Sequence, residues 1–159
     1  MRRGTRFGID VGKARIGVAR SDPDGMLATP LETVARDLEG DTHIRTISAL
    51  VAEYDVIELI VGYPLNLRGQ STPSTEDALT VARELAAAVE APVRLLDERL
   101  TTVSAAKQFR ATGRKASRSR GVIDQAAAVI LLQDALDRER ASGNPAGRAL
   151  EQDGDELDF

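Results

Sequence analysis

Three acidic residues stand where a mixed α/β chain could bring them together. Asp10 sits in RFGIDVGKARIGVARSD, a carboxylate set in a strand-like stretch just before a glycine turn. Glu98 closes the apolar run APVRLLDE, and Asp124 lies near the start of GVIDQAAAVILLQDAL. All-carboxylate clusters suit Mg2+ or Mn2+, which prefer oxygen ligands. Such ions, often as a pair, activate water and stabilise the leaving oxygen of a phosphodiester in an in-line displacement. Convergence of the three would be costly without a partner: two like charges 4 Å apart repel by about 4 kcal/mol at an effective dielectric of 20. Proton uptake or a bound cation would have to relieve that repulsion.

Each acid also has a plain structural reading. A strand-end Asp before Gly is a common turn former, charges are frequent at solvated strand ends, and an Asp in a first helical turn complements the helix dipole. For Asp10, Gly12 already serves the turn, and RIGVARS resumes strand character at once. For Asp97 and Glu98, neighbouring strand residues face opposite ways, so only one should join Asp10. The longer Glu98, nearer the rim, is favoured over Asp97. For Asp124, the helix face it shares with Ala127, Ala128 and Leu131 is apolar and should pack on a sheet.

The elements that must position these residues follow from pattern. Strands are expected over 5–11, 15–21, 26–33, 56–62 and 91–98, the third short or at an edge because of Pro30. In the first, Phe7, Ile9 and Val11 face one way, and Gly8, Asp10 and Gly12 the other. VIELIVG reads as a strand buried on both faces. Helices are expected over 40–55, 75–90, 101–112 and 122–142. The order β-β-β-α-β-α-β-α-α predicts a five-stranded mixed α/β sheet with helices on both faces. Ligands of such sheets gather at the carboxyl ends of the parallel strands. Asp10, Gly62 and Asp97-Glu98 all fall at such ends.

Basic residues cluster beside the acids. Lys107 to Arg120 holds six cations and no acid, among them Arg110, Arg114, Lys115, Arg118 and Arg120. GRKASRSRG reads as a flexible loop over the same rim, a pattern fit to grip a phosphate backbone. Lys13 and Arg15 add charge beside Asp10, and Arg99 is a candidate phosphate contact. The loop VGYPLNLRG can present backbone N–H groups to a phosphate. His43 is expected on a helix surface and is assigned no chemistry.

Composition narrows the classes. The chain of 159 residues suits one domain. It has no cysteine, which excludes thiol nucleophiles, disulfides and cysteine metal sites. Aromatics are 3%, so base stacking is not a main device. No apolar run approaches a membrane span and the start lacks a signal-peptide pattern, so a cytoplasmic protein with no membrane partner is expected. The net charge of −4 is local: residues 149–159 hold five acids and no base, leaving 20 acids against 21 bases. Residues 1–142 are expected to form the domain, and 143–159 an acidic, disordered tail.

The segments GIDVGKARIGVARSD, IVGYPLNLRG, DERLTT and DQAAA, in this order over about 5–140, resemble the YqgF/RuvX-like family. Its members are described as candidate Holliday junction resolvases and as candidate nucleases that mature the 5′ end of pre-16S ribosomal RNA. The resemblance implies an RNase H-like fold and metal-dependent cleavage by three carboxylates, which fall on Asp10, Glu98 and Asp124. The expected function is then a Mg2+- or Mn2+-dependent nuclease acting on pre-rRNA, or on branched DNA as a junction resolvase. Its state would be monomer or homodimer. Two other classes compete. Sugar kinases and actin-like ATPases share an Asp-x-Gly strand turn, but they need a second domain that this length lacks. A non-catalytic nucleic-acid-binding module is disfavoured because unneutralised carboxylates repel phosphate.

Overall fold

The computed structural model describes residues 1–103 and 117–150, and over 117–124 the backbone alone. Its elements are β1 (Arg6–Val11), β2 (Arg15–Ser21), β3 (Ala28–Ala35), α1 (Thr42–Glu53), β4 (Glu58–Tyr63), α2 (Pro73–Ala88), β5 (Val93–Asp97), a 3-10 turn (Glu98–Leu100), α3 (Ser117–Ser142) and β6 (Arg148–Ala149). Among the described residues the sheet runs β3-β2-β1-β4-β5-β6. The β1–β4 and β4–β5 pairs are parallel and the rest antiparallel. None of the described helices is long and apolar enough to cross a membrane.

Strand alternation splits the core in two. Phe7, Ile9, Leu59, Val61, Val93 and Leu95 meet Ile44, Ile47, Val51, Val81 and Leu85 of α1 and α2. Ile60 and Leu96 face the other way, onto Ala127, Ala128, Leu131 and Leu132 of α3. All six residues of β4 are buried, as its continuous apolar sequence requires of a central parallel strand. Helix α2 starts sharply because Thr72 and Thr75 form a reciprocal capping box and Pro73 occupies the first turn.

Four expectations need correction. The sheet has six strands rather than five, because Arg148–Ala149 pairs antiparallel with β5. This strand falls in the segment expected to be a tail. Arg94 fixes it by donating to the carbonyls of Ala146 (2.7 Å) and Gly147 (2.9 Å), and Ala146 is buried. Helix α3 begins at Ser117, so the end of the expected basic loop is helical. Arginine is a good helix former, and one internal glycine costs only about 1 kcal/mol. Strand β3 spans Ala28–Ala35 rather than 26–33, though it does lie at the edge. His43 is buried, and its Nδ1 accepts a hydrogen bond from the Asp37 N–H at 3.0 Å. Beyond Val103, the helix expected over 101–112 lies outside the described residues.

A buried charged clamp pins the far end of α3 to the start of β1. Arg6 is 1% exposed and its Nη2 donates to Glu139 Oε2 at 3.0 Å, while Nη1 donates to the Gly4 carbonyl at 2.7 Å. Arg2 bridges Glu139 (2.5 Å) and Glu58 (3.1 Å). Burial pushes the Glu139 carboxyl up, but the hydrogen bonds and charge of Arg2, with the charge of Arg6, outweigh it and hold it below its ordinary value. Glu139→Gln should therefore destabilise the fold by about 3 kcal/mol near neutral pH, as expected when one partner of a buried pair is removed. Because the folded pKa lies below the unfolded one, this contribution is full above about pH 4.3 and fades as pH falls through the folded value. The gap between variant and wild type should narrow in acid, as read by urea melts across pH. Truncation after Ser142 should lower the urea midpoint, since it removes β6 and the partners of Arg94.

Candidate functional site

The site begins with how α3 lies on β1. A Cβ at Gly8 would stand 2.7 Å from Leu132 Cβ and 2.8 Å from the Ala128 carbonyl oxygen, so the helix rests on bare strand backbone. Asp10 has the same parity as Gly8 and so faces α3, two residues nearer the carboxyl end of the strand. It is 2% exposed.

The second acid reaches the same place by a different route. Ile60 and Leu96 face α3, so Gly62 at the end of β4 and Glu98 just past β5 fall on that side too. A Cβ on Gly62 would collide with Glu98 Oε2, so the carboxylate occupies the space a side chain there would take. Ile9 pairs with Val61, which sets Asp10 beside Gly62, and Gly62 pairs with Leu96. Glu98 thus leans across β4 to within one strand of Asp10, and strands lie ~4.8 Å apart. It is 4% exposed.

Asp97 points to the opposite face and is engaged by Arg99. Arg99 Nη2 donates to Asp97 Oδ2 at 2.6 Å, and its backbone N–H to Oδ1 at 2.9 Å. Burial pushes the Asp97 carboxyl up, and these bonds and the Arg99 charge more than reverse it, leaving it below the usual carboxylate range.

Helix α3 runs antiparallel to β3 and hence to β1: Gln125 donates to Thr33 Oγ1 at 2.7 Å, while Gln133 accepts from the Ala28 N–H at 2.9 Å. One helical turn from Ala128 toward the N-terminus covers 5.4 Å and two strand residues beyond Gly8 about 6.6 Å. Backbone position 124 therefore approaches the strand end that bears Asp10. The Asp124 side chain lies outside the described residues, and among those described no three acids or histidines gather as a metal site.

Of the basic residues, Lys13 is exposed on the β1–β2 turn, Arg15 is half-buried at the start of β2, and Arg99 is exposed at the rim. Arg110, Arg114 and Lys115 lie outside the described residues, as do the side chains of Arg118 and Arg120 in the first turn of α3. Pattern reading missed Arg36. Its guanidinium grips Asp77 through two bonds (2.9 and 3.0 Å) and donates to the Gly12 carbonyl at 2.9 Å, tying the β1–β2 turn to α2. Nothing local marks partners 41 residues apart. Between this turn, the β4–α2 loop and Glu98 opens a cleft of about 740 Å3.

This sheet order beneath a long helix is a mixed α/β fold similar to that of RuvC, which is RNase H-like. It superposes on RuvC of Thermus thermophilus in complex with a Holliday junction substrate with a TM-score of 0.55 at 17% identity, over 92% of this chain and 99% of that one. A second Thermus thermophilus RuvC structure gives 0.53 at 16%. The chain belongs to the RuvX family: the family model described as "RuvX: Holliday junction resolvase" matches residues 4–138. A protein of Clavibacter michiganensis subsp. michiganensis named "Putative pre-16S rRNA nuclease" is 58% identical over 92% of this chain and 91% of its own length. One of Streptomyces coelicolor with the same name is 53% identical over 95% and 90%.

The Gly62–Glu98 contact is testable by stability alone. Gly62→Ala should cost about 1–3 kcal/mol through overpacking. In a Glu98→Ala background the same change should cost far less, giving a coupling of roughly 1–2 kcal/mol in a double-mutant cycle. Additive costs would mean that the two residues do not meet.

Proposed function

We propose that this chain is a divalent-metal-dependent nuclease that hydrolyses phosphodiester bonds of structured nucleic acid, in the 5′-end maturation of pre-16S rRNA. The observation that carries the reading is the placement of two buried carboxylates, Asp10 and Glu98, on one face at the strand ends on either side of β4, with Gly62 bare between them. The names of the relatives support pre-16S rRNA as the substrate.

The donor set fits Mg2+ or Mn2+. It is all oxygen, and Mg2+ is commonly held by one or two carboxylates with water and substrate phosphate completing its shell. Asp10 and Glu98 would hold the ions, with Asp124 as the third ligand on the approaching end of α3. Bound there, one or two ions supply an activated water and charge stabilisation for an in-line displacement. The chain orients: strand ends fix Asp10, Gly62 lets Glu98 reach it, and the Arg99 pair keeps Asp97 out of the site. Lys13, Arg15, Arg99, Arg110, Arg114, Lys115, Arg118 and Arg120 are the proposed phosphate contacts, and the compartment is the cytoplasm.

Resolution of Holliday junctions is the second reading, favoured by the description of the family model. It calls for a twofold dimer that presents two sites to paired strands. A pre-rRNA leader and a four-way DNA junction offered side by side, with Mg2+ or Mn2+, decide between them. Asp10→Asn and Glu98→Gln should each lower cleavage at least about 100-fold, the scale for loss of a group acting on the transition state, with the melting transition kept. A chelator should abolish the activity of the wild type. Cleavage by Asp10→Asn at the wild-type rate would overturn the site.

A further inference from the structure

We infer that the cleft beside Glu98 is a subsite for one unpaired nucleotide next to the scissile phosphate, so that the enzyme works where the strand is single. This rests on the nuclease reading and goes on to name the form of strand the site takes. At about 740 Å3 the cleft lies within the roughly 300–1,000 Å3 of small-molecule sites. Glu98 is one of its lining residues, and its carboxylate lies over Gly62, beside which the strand register sets Asp10. A group seated in the cleft is therefore a neighbour, along the strand, of a phosphate held at the two acids.

The chemistry of the walls selects a base. Val11, Pro64 and Leu65 line it with apolar surface. Several of its polar groups are committed within the protein. Asp77 is gripped by Arg36, Arg99 by Asp97, and Asn66 by its own loop, accepting from the Arg68 and Gln70 N–H groups at 2.9 Å. The apolar part of the wall suits a flat, neutral, largely apolar group with a polar edge. Ser74, at the start of α2, stands where that edge could be met, and Lys13 is exposed on the wall formed by the β1–β2 turn, for the backbone. Leu67 is 96% exposed on the bordering loop, bare apolar surface that a seated base would cover. A base paired and stacked in a duplex cannot enter; an unpaired one can be splayed into such a slot.

The test reads binding without cleavage, with Ca2+ in place of Mg2+. Fluorescence anisotropy compares three labelled ligands of equal length: a single-stranded RNA, the same strand with its bases removed, and a blunt RNA duplex. The single strand should bind most tightly, and loss of its bases should weaken it about tenfold. Ser74→Trp, an exposed position whose new side chain fills the cleft, should lose that preference for the bases while keeping duplex affinity within about twofold. Equal affinity for strand and duplex, no effect of base removal, no measurable strand binding, or a Ser74→Trp variant that melts like wild type and still discriminates would each overturn the proposal. Because no bond is cut, such a failure leaves the metal site, tested through Asp10→Asn cleavage, standing.

Discussion

The contact of α3 with the bare backbone of β1 sets the geometry on which the rest of the rim depends. With no side chain at Gly8, Leu132 and the Ala128 carbonyl descend onto the strand itself. The small residues Ala127 and Ala128 make the same concession from the helix side. The result is a helix held low over the sheet, so that a carboxylate rising from Asp10 is covered rather than solvated. Any side chain at position 8 would lift the helix, and it would lift the position of Asp124 with it. The clamp of Arg2, Arg6, Glu58 and Glu139 fixes the same helix at its other end. Between these two contacts α3 has little freedom to slide along the sheet.

A second omission does comparable work at the centre of the rim. Gly62 ends a strand that is buried along its whole length, and the space it leaves is filled by a carboxylate from the next strand. Asp97 and Glu98 are adjacent and similarly buried, yet they have opposite fates. Alternation sends one to Arg99 on the far face and the other over Gly62. Charge balance on the two sides of the strand end follows from that one step of chain direction.

Much of this was legible in the sequence. The alternation of RFGIDV places Asp10 on the glycine side, and the same rule separates Glu98 from Asp97. The pairing of Glu98 with Gly62 was not legible, because a glycine within an apolar strand says nothing of what crosses it. The burial of His43 does have a signal in the sequence: it lies four residues before Ile47 and eight before Val51, on the buried row of α1. Strand β6 is two residues long and has no period to detect; it exists because Arg94 and the β5 edge hold it. The start of α3 resembles a loop because serine, glycine and charge dominate it, although its arginines favour the helix.

Strand β6 fixes where Leu150 stands relative to the acidic rim. It runs antiparallel to β5, so Leu150 finishes beside Val93, where its N–H meets the Val93 carbonyl at 2.9 Å. Glu98 stands at the other end of β5, beyond Asp97. Four strand steps from Val93 to Asp97 span about 13 Å, whereas electrostatic influence in physiological salt decays over about 8 Å. A charge fixed at the Val93 end of β5 is thus largely screened from the rim, whereas one fixed at the Asp97 end acts on it directly.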